Sequence, residues 1–175
     1  NEIFNLLYNI KFNNDFVNKQ IKSVINTTSL NLKVENNLDY KDPKKKEGLI
    51  NFYYNKKKSN AAYSYSNDLF EFDFFDKSIN PNFTYKGTIN LKPFFSESSG
   101  LFKKVNLKEF LNPNSILLQF LKTEILNNKN LNMNTSLNAK KIISYENLDN
   151  LALKVKISEG LIDINETTIS WLDIA

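Results

Sequence analysis

The sequence has no cysteine, no histidine and no arginine, and it carries only four glycines, four prolines, one methionine and one tryptophan in 175 residues. Each absence removes a class of chemistry. Without cysteine there is no disulfide framework and no thiolate nucleophile, and the redox compartment leaves no trace. Without cysteine and histidine the usual zinc and iron ligands are missing, as is the commonest general base near neutral pH. Without arginine there is no bidentate fork for phosphate or guanine, and all 23 basic residues are lysines. No apolar run reaches the roughly 20 residues that a helical membrane span needs. No signal peptide, glycine-rich phosphate loop, nucleophile elbow or metal motif is visible. The chain opens on Asn1 rather than methionine and reads as a piece cut from a longer protein.

What remains is rich in Asn, Lys, Ile, Phe and Tyr. These residues share AT-rich codons, so the net charge of +4 says little by itself about an anionic partner. Apolar residues make up 41% of the chain and are patterned, which separates it from asparagine-rich disordered sequences.

The pattern is mostly period two, the mark of strands with one apolar and one polar face. In FTYKGTINLKPFF, Phe83, Tyr85, Ile89 and Leu91 fall on one side and Thr84, Lys86, Thr88, Asn90 and Lys92 on the other. The same rhythm places Leu30, Leu32 and Val34 together, then Ile50, Phe52 and Tyr54, then Ala61, Tyr63 and Tyr65, then Phe70, Phe72 and Phe74. Short strands at near-regular spacing predict an antiparallel meander over 30–106. Residues 1–28 are ambiguous: LLYNIKF alternates loosely, whereas Phe16, Ile21, Val24 and Ile25 have nearly helical spacing, so a short strand and then a short helix are expected.

Residues 107–127 break the rhythm. Leu117, Phe120, Leu121 and Ile125 lie three or four apart, one stripe of an amphipathic helix over 115–126 with Asn114 or Ser115 as its cap. A shorter turn, KEFL, precedes Pro113. Such a helix has to lay its stripe on something, and the apolar sheet face is the expected partner. Strands resume over 131–175. If Glu159 and Gly160 form a two-residue turn, Ile157 faces Ile162 and Val155 faces Ile164. Two positions further out that register sets Leu153 against Glu166, so it has to fail or bulge there. The fold class expected is thus mainly β: one domain, a curved, groove-like antiparallel sheet with one main amphipathic helix packed on it.

Three groups invite a chemical reading. Glu71, Asp73 and Asp76 in LFEFDFFD could do acid–base work or bind calcium, but Glu71 and Asp73 are also simply the polar side of a half-buried strand, the favoured reading. The lysine runs Lys44, Lys45, Lys46 and Lys56, Lys57, Lys58 fall in expected loops. Two basic tips close together could touch anionic head groups, although solvated turns explain them as well. The aromatics Tyr53, Tyr54, Tyr63, Tyr65, Phe70, Phe72, Phe74 and Phe75 resemble a stacking platform, yet the lack of arginine argues against nucleic acid. No catalytic, metal or cofactor constellation assembles, and the chain reads as non-catalytic.

YKGTINLKPFF, then LNPNSILLQFLKTEILNNKNLNMNTSLNAK, then LALKVKISEGLIDINETTISW together resemble the carboxy-terminal part of an AsmA-like protein. The likeness covers residues 83–175 and reaches back to residue 30 through the strand rhythm; its motifs are structural and transfer no catalytic residue. It implies a periplasmic segment of a protein anchored in the inner membrane of a double-membraned bacterium, serving lipid transport or outer-membrane assembly. The apolar face of Phe52, Phe72, Phe83, Tyr85, Ile89 and Leu91 would then be either domain core or a wall for phospholipid acyl chains. The alternative is a secreted or surface-exposed β-domain that binds protein or glycan, as adhesin modules do.

Overall fold

The computed structural model describes residues 2–3, 6–54, 57–75, 82–113, 115, 118 and 128–171. Among these residues thirteen strands lie in one sheet: β1 (Glu2–Ile3), β2 (Leu6–Asp15), β3 (Gln20–Thr27), β4 (Leu32–Asp39), β5 (Lys46–Tyr54), β6 (Lys57–Ser66), β7 (Leu69–Phe75), β8 (Phe83–Leu91), β9 (Phe94–Phe102), β10 (Met133–Ala139), β11 (Leu148–Ser158), β12 (Leu161–Asp163) and β13 (Thr168–Trp171). The spatial order follows the sequence from β1 to β12, and β13 pairs with β11 beside β12. The sheet is open rather than closed into a barrel.

Local chemistry explains the meander. Two of the two-residue connections are built on residues of positive φ, and the one between β8 and β9 is the cis-peptide pair Lys92–Pro93. Asn67 and Asp68 (φ 49° and 62°) close the β6–β7 hairpin, and Glu159 and Gly160 (φ 52° and 81°) close β11–β12. Two central residues of positive φ make the turn whose twist matches that of paired strands. Between β2 and β3 the Asp15 carboxylate accepts the backbone N–H groups of Val17 and Asn18 at 3.1 and 3.0 Å, and these bonds hold its pKa below the usual carboxylate value. A short polar side chain that satisfies its own turn in this way is a strong reversal signal.

One pair breaks the antiparallel pattern. β10 runs parallel to β9, from Met133↔Ser96 to Ala139↔Phe102. A parallel neighbour needs a long crossover, and residues 103–132 supply it. The one buried hydrophobic cluster identified among the described residues sits beside that crossover: Leu107, Ala139, Ile142 and Leu151, with Phe102, Val105, Leu148 and Leu153 packed against it. Elsewhere the described residues form one layer, and among them no large side chain is fully buried.

Two expectations are corrected. The short helix expected after residue 15 is strand β3, paired along its length with β2 and β4. Its β-branched residues suit a pleated surface, and neighbours on both sides outweigh a loosely helical spacing. The described helix is not a main amphipathic one but the single turn α1 (Leu107–Phe110), capped by the Asn106 side chain accepting the Glu109 N–H. Pro113, which lacks an N–H and restricts the residue before it, follows closely. Ser115 does accept the Leu118 N–H at 3.2 Å, as a cap would. Its expected stripe, Leu117, Phe120, Leu121 and Ile125, lies outside the described residues.

Candidate functional site

The strand registers assemble the alternating residues into rows that cross the sheet on one face. One row reads Ile10, Ile25, Val34, Phe52. The next reads Ile50, Ala61, Phe74, Tyr85, Gly100, Leu137, Leu153. A third reads Leu38, Gly48, Tyr63, Phe72, Gly87, Ser98, Thr135, Val155. Alternate residues of β2 to β11 thus join one surface, because a period of two keeps each register in phase.

Aromatic rings bind this surface laterally. Phe74 stacks on Phe52 at 5.0 Å between centroids, and Phe72 meets Phe74 edge-on at 5.9 Å. Tyr85 lies 5.6 and 5.7 Å from Phe72 and Phe74. Phe83 stacks on Phe102 at 5.9 Å. Pairs at these separations attract beyond their area burial. Glycines make room for the rings: Tyr63 covers Gly48, Phe72 covers Gly87 and Tyr85 leans over Gly100. Ring over glycine on a neighbouring strand fills the space that a missing side chain leaves. Polar atoms within the face are matched. Tyr85 Oη donates to Ser98 Oγ at 3.0 Å, which lies 2.9 Å from Thr135 Oγ1, and this links β8, β9 and β10. Tyr63 Oη donates to Asn36 Oδ1 at 2.7 Å, and burial pushes the Tyr63 hydroxyl pKa up against the lowering effect of that bond.

Of the six residues expected on the apolar face, Phe52, Phe72 and Tyr85 are brought together through Phe74, and Phe83 and Ile89 extend the surface along β8. These five are half-buried. Leu91 lies at the strand end, 43% exposed and opposite Phe94. The sequence reading missed Phe102, Ser98 and Thr135 as members of the face.

The opposite face is polar and carries an open trough of about 980 Å³. Asp39, Glu47, Glu71, Asp73, Glu97 and Lys86 are among its lining residues. Its charges are locally answered. Lys45 bridges Glu47 at 2.7 Å, which raises the lysine pKa, and the Lys41 N–H and amine hold Asp39 below its usual pKa. Glu71 accepts the Ser64 hydroxyl at 3.0 Å, and Asp73 stands opposite Lys86. Asp76 lies outside the described residues. The pair therefore has the geometry of a solvated strand face. Glu71→Gln with Asp73→Asn should change stability by less than about 0.5 kcal/mol, the usual range for surface substitutions. A stoichiometric calcium titration of the parent chain that disappears in this double variant would contradict that expectation.

The two lysine runs do not form one patch. Lys44 and Lys45 end the loop before β5 and Lys46 begins that strand, whereas Lys57 and Lys58 begin β6 beyond the other end of β5. The rest of β5, from Glu47 to Tyr54, separates them, about 26 Å at strand rise. Each group also has local partners. Lys46 Nζ donates to the carbonyls of Asp42 and Pro43, Lys57 pairs with Glu109, and Lys58 sits 5.4 Å over the Tyr53 ring. Lys56 lies outside the described residues.

Comparison with protein-family models, with curated proteins and with solved structures finds no match to this chain.

Proposed function

We propose that the apolar face of the sheet is a contact surface for acyl chains, and that the chain is a non-catalytic segment of an AsmA-like periplasmic protein. Its parent would be anchored in the inner membrane outside this segment and would serve lipid transport between membranes or outer-membrane assembly. One observation carries the reading. The rows centred on Phe52, Phe72, Phe74 and Tyr85 form a continuous apolar surface that is only partly buried, with no second sheet over it among the described residues. A contiguous apolar patch of this kind marks an interaction site on a protein surface. Acyl chains suit it because their burial requires no matching polar groups.

The open trough lies on the other, polar face, so the acyl contact proposed is with the apolar sheet surface and not with the trough. The trough favours a second reading, an adhesin-like module that binds glycan through its hydroxyls and carboxylates. Photo-crosslinkers placed singly at Phe83, Ile89 and Glu97 in a double-membraned bacterium separate the two. Lipid adducts from Phe83 and Ile89, seen by mass spectrometry and absent from Glu97, are the expected result. Glycan adducts from Glu97 alone would replace the acyl reading by the second.

A further inference from the structure

We infer that the end of the sheet where β9 and β10 finish is a docking surface for an anionic phospholipid bilayer, held by Lys104, Lys140 and Lys141 and by the exposed side chains of Ile143 and Tyr145. The inference stands on register and charge, and it holds whether or not the apolar face carries acyl chains.

The parallel alignment of β9 with β10 continues past its last ladder pair, Phe102↔Ala139. The Lys140 N–H donates to the Phe102 carbonyl at 2.9 Å, and the Val105 N–H donates to the Lys141 carbonyl at 2.9 Å. Val105 and Ile142 then form a parallel bridge. Between these fixed points Lys103 stands opposite Lys140, and Lys104 stands opposite Lys141. Both strands are interior to the sheet, with β8 on one side and β11 on the other.

Like charges placed opposite each other destabilise a sheet. No carboxylate offsets them here. Lys104, Lys140 and Lys141 are exposed, and among the described residues none of the three forms an ion pair. Lys108 of α1 adds a further ammonium, while its neighbour Glu109 is engaged by Lys57 at 3.4 Å. The fold thus spends stability to hold a row of positive charges together, which an anionic partner would repay.

Apolar side chains stand among the lysines on a fixed backbone. Ile142 is buried, and its N–H donates to the Asp149 carbonyl. Ser144 Oγ accepts the Leu107 N–H at 2.8 Å, which ties this segment to α1. With Ile142 and Ser144 turned inward, Ile143 and Tyr145 turn outward and are 54% and 44% exposed. Lys108 Nζ lies 5.3 Å from the centre of the Tyr145 ring. Cationic and apolar tips side by side are the composition of a membrane-interface contact: ammonium groups meet head-group phosphates, and aromatic and aliphatic tips enter the layer below.

The same features select the partner. A site for one small anion needs buried, converging donors, whereas these lysines are exposed and spread along two chains. The chain has no arginine, so the planar fork that reads guanine or clamps a phosphate is absent. Point charges beside apolar tips suit a fluid layer of head groups, which rearranges to meet them.

Co-sedimentation with vesicles at physiological ionic strength tests this. The parent should bind vesicles of phosphatidylglycerol and phosphatidylcholine in equal parts and should ignore vesicles of phosphatidylcholine alone. Each lysine near a charged membrane contributes about a fivefold gain, so Lys104→Gln, Lys140→Gln and Lys141→Gln together should weaken binding about a hundredfold. The melting midpoint of that variant should hold or rise, because facing like charges are removed. Lys44→Gln, Lys45→Gln and Lys46→Gln remove the same charge at the opposite end of the strands and should keep most of the binding. Ile143→Ser gives a second readout that changes no charge: it should weaken binding several-fold with the midpoint unmoved. A parent that ignores the phosphatidylglycerol vesicles, equal losses in the two lysine triples, or an Ile143→Ser chain that binds like the parent would each overturn the inference. Tighter binding to polyglutamate than to the vesicles would overturn it as well and assign the surface to an acidic polymer.

Discussion

Ile142→Ala will lower the stability of the chain by about 3–4 kcal/mol, the cost of emptying a packed isoleucine site. Ile142 is 2% exposed and sits in the buried cluster beside the β9–β10 crossover. Its backbone is held as firmly as its side chain. The Ile142 N–H donates to the Asp149 carbonyl at 2.6 Å, and an isolated parallel bridge joins Ile142 to Val105. Neighbours anchored in this way cannot collapse far into the vacated volume, so the cavity term persists. For a chain of this length the midpoint of thermal unfolding should fall by about 10 °C. Leu91→Ala is the contrast. A leucine already 43% exposed has less burial to lose, and the loss should stay below about 1 kcal/mol. Urea denaturation of the two variants beside the parent checks both values. Equal losses would mean that the cluster is not where the fold keeps its packed core.

This concentration of burial in one place also decides what the sequence could reveal. Strands β5 to β8 were legible because large residues mark alternate positions, as in Phe70, Phe72 and Phe74. The terminal hairpin was legible from its turn chemistry. Glu159–Gly160 sets Ile157 against Ile162 as expected, and the pairing with Leu148–Ala152 resumes in β13 with an irregular register. Strand β9 was not legible. In FFSESSGLF the face that joins the apolar surface is Ser96, Ser98, Gly100 and Phe102, and small residues carry no hydrophobic period. They are small because their neighbours are large: Tyr85 and Leu137 lie directly over Gly100. A single sequence shows one strand at a time, whereas the rule that pairs a ring with a glycine acts between strands.

The same limit hid the parallel pair. Nothing local to Met133–Ala139 states whether its neighbour runs with it or against it; the length of the connection does. The candidate site divides in the same manner. Its aromatic members were legible from alternation, but the hydroxyls of Ser98 and Thr135 were not. The strand registers place them on the apolar face, where the Tyr85 hydroxyl bonds to Ser98 and Ser98 to Thr135.

The last expected result concerns the glycine at the centre of that face. Gly87→Val should cost about 3 kcal/mol, at the upper end for an overpacked site. Any Cβ at this position would meet the Glu97 backbone oxygen, and it would stand 2.7 Å from Ser98 Cβ and 2.8 Å from Phe72 Cζ. A ring can swing aside, but the Glu97 oxygen is part of β9, and moving it parts the two strands. Gly48→Ala isolates the difference. There the obstacle is the far end of the Tyr63 side chain, which can rotate away at the loss of its bond to Asn36. Losing a hydrogen bond of that kind costs about 1 kcal/mol, so Gly48→Ala should be the milder change. The two variants also separate stability from surface. At Gly48 the displaced Tyr63 ring opens a gap in the apolar face while the ladder stays intact, so lipid capture from Ile89 should weaken while the melting midpoint moves little. At Gly87 the ladder between β8 and β9 fails first, and the midpoint should fall before any change in capture can be read. If Gly87→Val melted like the parent, the close approach of β8 to β9 at this point would be wrong, and with it the packing that keeps the aromatic face continuous.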